Sequence, residues 1–255
     1  MNNNFTGIMF YCKVREIRLL LNMNNIMRNF NAKQYYKLFE DWDDPVIKSH
    51  EKDEFKLIRE IKNLEKKTII DLGAGYGRIL KTVSPLVKQI VGIDVNPEMF
   101  KELEKRANVY PNVTVLKEDV TYLSKLLKAR NIVVHKPLLL CLQNTLGTIE
   151  GDWQKVLQGM KKVGKKYQGE IILSLYRQQA LRDWGLMTYY HGSTMNGEPD
   201  LSKCNFDKGW FESKTGYTSK WWTDEEIKKL QELLGGENLQ EIKTAQYYII
   251  YLKYS

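Results

Sequence analysis

The sequence predicts an α/β protein built on a mostly parallel sheet, and three observations carry that expectation. Strand-like and helix-like segments alternate from residue 68 to residue 176. The first strand runs into a glycine-rich turn that opens a helix, and no internal repeat or low-complexity linker breaks the run. Alternation of this kind calls for parallel strands joined by right-handed helical crossovers. At 255 residues and 43% hydrophobic content, the chain is long enough to bury a substantial core.

Taken in order, Thr68-Ile69-Ile70-Asp71-Leu72 reads as a buried strand, residues 73–77 as a turn and 78–83 as a helix. Gln89–Asp94 is a second strand, and the helix after it opens with Pro97 and Glu98, both favoured in a first turn. Residues 113–116 form a third strand, 123–127 a helix, and 137–142 a fourth strand entering the polar turn Gln143-Asn144-Thr145. A helix over 153–163 and a fifth strand over Glu170–Tyr176 complete the regular part.

The flanks are less regular. Residues 1–31 are rich in Asn and Met and weakly patterned, with later starts available at Met9, Met23 and Met27. Phe55, Ile58, Ile61 and Leu64 recur at helical spacing, which predicts an amphipathic helix leading into the first strand. Beyond Arg177, residues 192–197 read as a loop. Residues 206–222, with Gly209 and Gly216 among aromatics, read as a β-hairpin. Thr223 with Glu226 three residues on forms a capping box for a last helix, and 247–254 is dense enough in Tyr and Ile for a last strand.

Composition narrows the function classes. No apolar run approaches the roughly 18 residues of a membrane span, and 8–11 is too short for a secretory signal, so a cytoplasmic protein without membrane contact is expected. Cys12, Cys141 and Cys204 are scattered and never paired as CxxC, which argues against a disulfide framework or a zinc site. A net charge of +8 permits RNA as a partner, although the lysine runs fit solvated helix faces better. His50, His135 and His191 stand isolated and read as ordinary histidines.

The chemistry concentrates at the strand ends. Three glycines, Gly73, Gly75 and Gly77, lie between a buried strand and a helix, where a ligand must approach the backbone closely. Asp94 ends the second strand roughly 20 residues on, the place from which a carboxylate accepts both ribose hydroxyls. Capping the helix at Pro97 is a competing role for Asp94, and its distance from the glycines favours ribose. Asp119 is placed to accept from the exocyclic amine of adenine and equally placed to cap the next helix. The spacing GxGxG departs from the dinucleotide pattern GxGxxG, and no Walker Gly-Lys-Ser/Thr follows.

Asp71-Leu72-Gly73-Ala74-Gly75-Tyr76-Gly77, Gly92-Ile93-Asp94-Val95-Asn96-Pro97 and Glu118-Asp119-Val120 together resemble the first three motifs of class I S-adenosylmethionine-dependent methyltransferases, over roughly residues 65–178. That resemblance implies a mostly parallel, seven-stranded Rossmann-like sheet flanked by helices, an N-terminal helical segment, and a small hairpin or lid inserted before the last helix. It implies an N-terminal extension over 1–31 followed by one methyltransferase domain over 32–255. Within that domain lie a helical cap over 32–64, a cofactor-binding core over 65–178, a substrate lid over 179–222, and a C-terminal helix and strand over 223–255.

The resemblance also implies S-adenosyl-L-methionine as cofactor and assigns roles by position. Gly73, Ala74 and Gly75 lie against the methionine part, and Asp71 braces that turn and faces the amino group. Asp94 takes the ribose. Val95 and Met99 flank the adenine, Asp119 takes its amino group and the Val120 amide its ring nitrogen. Gln143 and Asn144 contact the methionine portion or the substrate, and Tyr36 folds over the cofactor.

The turn Leu142-Gln143-Asn144-Thr145 lacks the Asn/Asp-Pro-Pro-Tyr/Phe used on extruded bases, and Cys141 lacks the preceding Pro of cytosine C5 methylation, so DNA is not expected as a partner. The turn is similar to those of small-molecule N-methyltransferases. The expected function is methyl transfer to a small-molecule acceptor at N or O, with an RNA methyltransferase as the alternative. A nicotinamide-dependent oxidoreductase and a non-catalytic cofactor-binding module are the remaining readings. No residue announces itself as a general base, and Trp210, Phe211, Tyr217, Trp221 and Trp222 serve either a substrate pocket or hairpin packing.

Overall fold

The computed structural model describes residues 42–149 and 152–255. Tyr36 and the segment 1–31 lie outside the described residues, as does the first part of the 32–64 cap. The first helix, α1 (Pro45–Glu60), starts earlier than the 55–64 spacing predicts and stops at Glu60. Its start is fixed by Asp44, whose Oδ1 accepts from the amides of Val46 and Ile47 at 2.8 and 2.9 Å. Pro45 occupies the first helical position, where a missing N–H loses no bond.

Seven strands form the main sheet in the order β3 (Val113–Lys117), β2 (Gln89–Asp94), β1 (Thr68–Leu72), β4 (Leu138–Cys141), β5 (Glu170–Tyr176), β9 (Tyr247–Lys253), β8 (Glu237–Lys243). Pairing is parallel from β3 to β5, and β9 runs antiparallel to both β5 and β8. Register places Asp71 beside Gly92 on one side and Leu140 on the other. The chain reverses its direction of travel across the sheet between β1 and β4, the switch point where open α/β sheets hold ligands beyond the strand ends.

Successive residues of β1 point to opposite faces, so each strand feeds two cores. Ile70 and Leu72 pack with α4 (Leu123–Ala129), α6 (Trp153–Tyr167) and α9 (Asp224–Leu234) through Leu127, Val156, Met160 and Leu230. Ile69 packs on the other face with α1, α2 (Leu80–Val83) and α3 (Pro97–Ala107) through Leu57, Ile58, Val83 and Leu103. Each such fully buried aliphatic side chain contributes about 1.5–3 kcal/mol. Strand β8 was not foreseen, because an edge strand with exposed residues such as Glu237, Gln240 and Glu241 shows no apolar alternation.

Between β5 and α9 the chain forms a compact insertion. It contains a π-helical turn (Leu181–Gly185), α7 (Leu186–His191), the short α8 (Ser193–Asn196) and the antiparallel pair β6 (Trp210–Glu212) and β7 (Thr218–Lys220). Residues 192–197, expected as a loop, thus hold a helical turn, closed by Gly197 at φ +79°. A third core of Leu181, Trp184, Tyr189, Phe211 and Trp221 binds the insertion to Ile47 of α1. Arg177 ties its start to the last helix, donating to Asp224 at 2.8 and 2.9 Å through Nη2. Among the described residues no helix is long and apolar enough to cross a membrane.

Candidate active site

The glycine turn leaves β1 and is folded back on β2. The amides of Gly73 and Ala74 both donate to the carbonyl of Ile93, at 2.8 and 3.0 Å. At Gly73, with φ +70°, an added Cβ would stand 2.3 Å from Thr145 Cγ2, so close packing on α5 (Thr145–Thr148) demands glycine. At Gly75, with φ +55°, nothing lies within 4 Å of an added Cβ, and the bare backbone faces a cleft.

That cleft has a volume of about 1510 Å3 and runs along the carboxyl ends of the strands. Asp94 stands at its floor with both oxygens engaged: Oδ2 accepts from Gly75 N and Oδ1 from Asn96 N, each at 2.8 Å. Burial pushes its pKa up, and the amides of Asn96 and Gly75 pull against that shift. Asp94 does not cap α3; Asn96 does, accepting from Glu98 and Met99 at 2.9 and 3.0 Å. Asp94 instead braces the glycine turn, the task the motif resemblance gave to Asp71.

Asp71 is 5% exposed and its carboxylate accepts no hydrogen bond from a described residue. Burial raises its pKa to about 7; Arg78 lowers it, while Asp94 and Glu54 raise it further. A buried carboxyl without a donor, on the wall of a cleft, is a seat for a cationic ligand group.

The remaining expected residues line the same cleft: Val95 half exposed at 50%, Met99 buried, Val120 buried, and Asp119 at the far end. Asp119 caps the short turn after β3, accepting from Thr121 N at 2.8 Å, and still borders the cleft. Cys141 is fully buried, and burial holds its thiol up at about 12, so it supplies no nucleophile.

Gln143 and Asn144 occupy consecutive left-handed positions, φ 51° and 57°, a strained turn that needs outside support. The Gln143 amide donates to Glu54 Oε1 at 2.9 Å and to Ser174 Oγ at 2.8 Å, and Tyr176 donates its hydroxyl to Gln143 Oε1 at 3.0 Å. Asn144 is 1% exposed; its Oδ1 accepts from Trp222 Nε1 at 3.0 Å and its Nδ2 donates to Lys220 O at 3.0 Å. Its side chain therefore ties the turn to the insertion.

Beneath this turn lies a charged cluster that sequence reading passed over. Glu54, fully buried on α1, pairs with Arg78 Nη2 at 2.5 Å, and Arg78 also reaches Glu51 at 3.1 Å. Burial raises the Glu54 pKa, but Arg78, His50, Ser174 and the Gln143 amide outweigh it and hold the carboxyl below its usual range. His50, also fully buried, stacks on Tyr247 with centroids 4.3 Å apart and forms no hydrogen bond at either nitrogen. The available signal was a polar residue inside an apolar helical stripe: Ile47, His50, Glu54, Leu57 and Ile58 share the buried face of α1.

On the other side the cleft is walled by Tyr176 at the end of β5 and by Tyr189, Tyr217, Ser219 and Trp221 of the insertion. The space at the switch point and the space beside these aromatic residues thus form one continuous cleft.

Comparison with known proteins agrees with this geometry. Residues 69–166 match the family described as "Methyltransferase domain". Ribosomal RNA small subunit methyltransferase A of Staphylococcus carnosus is 27% identical over 135 residues, 47% of this chain and 45% of that protein. The chain spans less than half the length of the curated relatives it matches.

An S-adenosylmethionine-dependent methyltransferase from Clostridium acetobutylicum superposes with TM-score 0.57 at 13% identity, over 86% of this chain and 98% of its own. A 1,6-didemethyltoxoflavin-N1-methyltransferase from Burkholderia thailandensis, with bound 1,6-didemethyltoxoflavin and S-adenosylhomocysteine, gives 0.55 at 11% identity, over 94% and 90%. The fold and the strand-end cleft define an α/β protein with a large pocket at the switch point of its sheet. More narrowly, residues 69–166 match the methyltransferase-domain family, and the seven-stranded sheet has the fold of the S-adenosylmethionine-dependent methyltransferase structures it superposes on.

Proposed function

We propose that the protein transfers the methyl group of S-adenosylmethionine to a small-molecule acceptor, at nitrogen or oxygen. When bound, the cofactor supplies a sulfonium methyl that an acceptor lone pair takes by in-line displacement. The fit of the cofactor rests on Asp71, whose buried carboxyl lacks a donor and complements an α-ammonium, and on the bare backbone at Gly75. Gly73, Ala74 and Gly75 lie along the amino-acid portion, and Gln143 contacts it from the fourth-strand turn. Asp94 keeps a free lone pair on each oxygen for the ribose hydroxyls. Val95 and Met99 flank the adenine, Asp119 accepts from its amine, and the Val120 amide donates to its ring.

The chain's own contribution to the reaction is alignment and exclusion of water. Holding two reactants in line is worth about 7–11 kcal/mol, and a neutral amine then needs no dedicated base. The observation that carries the small-molecule reading is the aromatic chamber made by the chain's own insertion, over 179–222, opening onto the cofactor berth. A second reading, RNA methylation, is favoured by the likeness to a ribosomal RNA methyltransferase and by the +8 charge. Transfer of label from S-adenosylmethionine into a metabolite extract supports the first. Label that appears only in tRNA or rRNA, with steeply salt-dependent binding, replaces it with the second.

A further inference from the structure

Two polar side chains at the carboxyl ends of β4 and β5 are oriented by the buried charge beneath them. Glu54 is held below the usual carboxylate range and is ionised, so it can only accept hydrogen bonds. It takes the Nε2 side of the Gln143 amide at 3.3 Å, which turns Oε1 of that amide toward Tyr176. An amide oxygen has no proton to give, so the Tyr176 hydroxyl is the donor in the 3.0 Å bond between them. Every proton of this relay therefore points toward Glu54. Tyr176 has a single hydroxyl proton and holds it inward, so a group that meets its oxygen from the cleft meets an acceptor.

Tyr176 borders the cleft itself. It is part-exposed, lines the cleft wall and ends β5, beside the turn that carries Gln143. Other rings hold its own in place: Trp184 lies edge-on with centroids 5.2 Å apart, Trp221 at 4.8 Å and His50 at 5.4 Å. A phenol held this way offers its oxygen at one fixed place. The relay behind it is a poor base, because Glu54 is fully buried and already receives Arg78, Ser174 and the Gln143 amide. It holds a proton and takes none up, so an acceptor that must lose a proton in order to react, such as an alcohol, gains nothing from it. A neutral amine needs no base: it donates an N–H to Tyr176 and keeps its lone pair for the methyl group.

We propose that Tyr176 selects primary and secondary amines as methyl acceptors, its hydroxyl oxygen taking an N–H of the nitrogen that is methylated. The nitrogen lone pair forms the new C–N bond, the C–S electron pair stays on sulfur as S-adenosylhomocysteine departs, and the surplus proton of the product ammonium passes to water. This inference rests on the methyl-transfer reading above, and its test separates the two. Calorimetry compares S-adenosylhomocysteine with sinefungin, the analogue in which a carbon bearing an amine replaces the sulfonium bearing its methyl. Wild type is expected to bind sinefungin at least about tenfold more tightly, the scale of one hydrogen bond to a charged group. Tyr176→Phe, which keeps the ring, is expected to bring the two affinities within about threefold of each other. A crystal structure of the wild-type protein with sinefungin, which needs no variant, is expected to show its amine within hydrogen-bond reach of Tyr176 Oη. Label transferred from S-adenosylmethionine is expected to stay with its product in hydriodic acid under conditions that release O-methyl groups. If S-adenosylhomocysteine binds but the wild-type preference falls short, survives in Tyr176→Phe, or the amine lies elsewhere in the crystal, the assignment of Tyr176 is overturned alone. Label lost as methyl iodide overturns the amine class. If S-adenosylhomocysteine does not bind at all, the methyl-transfer reading falls, and this assignment falls with it.

Discussion

The carboxylate of Asp94 and the amide of Gly75 lie 2.8 Å apart, so the acid that closes the second strand also fixes the tip of the glycine turn. The proposed ribose contact and the loop shape would thereby be coupled through one side chain, which sets the first expectation. Asp94→Ala should weaken binding of S-adenosylhomocysteine about 10- to 100-fold, the scale of charge-assisted hydrogen bonds at roughly 1.5–3 kcal/mol. Titration calorimetry reads the affinity and circular dichroism the fold; unchanged affinity would contradict the ribose role.

The two glycines should fail differently. Gly73→Ala drives a methyl into Thr145 at φ +70° and should reduce stability by about 1–3 kcal/mol, seen in urea melts. Gly75→Ala meets no atom within 4 Å, so its methyl projects toward the cleft. Beyond a backbone penalty of about 1 kcal/mol it should act mainly on cofactor affinity. Equal stability losses with equal binding losses would contradict this division.

Asp71 links binding to pH. Its pKa is raised to about 7, so below that value the free protein keeps the carboxyl neutral, while an ammonium ligand requires it charged. Binding should therefore expel a proton, and affinity should rise with pH, by at most tenfold per unit, levelling off above 7. Calorimetry in buffers of differing ionisation enthalpy detects the proton. Asp71→Asn should bind more weakly and with a flat profile.

His50 acts on stability instead. In the folded protein burial holds its pKa at about 4, below its ordinary 6.5, so between these values the unfolded chain binds more protons. The folded state therefore loses stability as pH falls through that window, by at most about 1.4 kcal/mol per unit, and keeps it fully above 6.5. Asp71, raised from 3.8 to about 7, contributes in the opposite sense across the whole of that window, so the wild-type curve alone is not diagnostic. His50→Phe, which preserves stacking on Tyr247, should lose less stability than wild type between pH 6.5 and 4 in denaturant titrations.

Breaking the buried pair below the fourth-strand turn should be expensive. Glu54→Ala leaves Arg78 only Glu51 and leaves the strained Gln143 amide with Ser174 alone. A loss of about 3–5 kcal/mol is expected in urea melts, since removing one partner strands the other charge. A change below 1 kcal/mol would show that the cluster does not support the turn.

What was legible in the sequence was what local spacing encodes. Asp71, the glycines, Asp94 and the Thr223 capping box sit where strand ends and helix starts dictate them. Glu54, and the role of Asn144 in tying its turn to the insertion, were not legible, because their partners are distant: Ser174 is 120 residues from Glu54 and Trp222 is 78 from Asn144. Strand β8 escaped for another reason, since an exposed edge imposes no apolar alternation on residues such as Glu237 and Glu241. The helical start at Pro45 was signalled by Asp44 but masked by the stronger apolar spacing farther along.

The central claim is that the strand-end cleft holds S-adenosylmethionine through Asp94 and the glycine turn. Parallel calorimetric titrations of the full chain with S-adenosylhomocysteine and with NAD test it most directly. One molecule of S-adenosylhomocysteine bound per chain, lost or sharply weakened in Asp94→Ala, with no heat from NAD, is the predicted result. Binding of NAD with none of S-adenosylhomocysteine would contradict it.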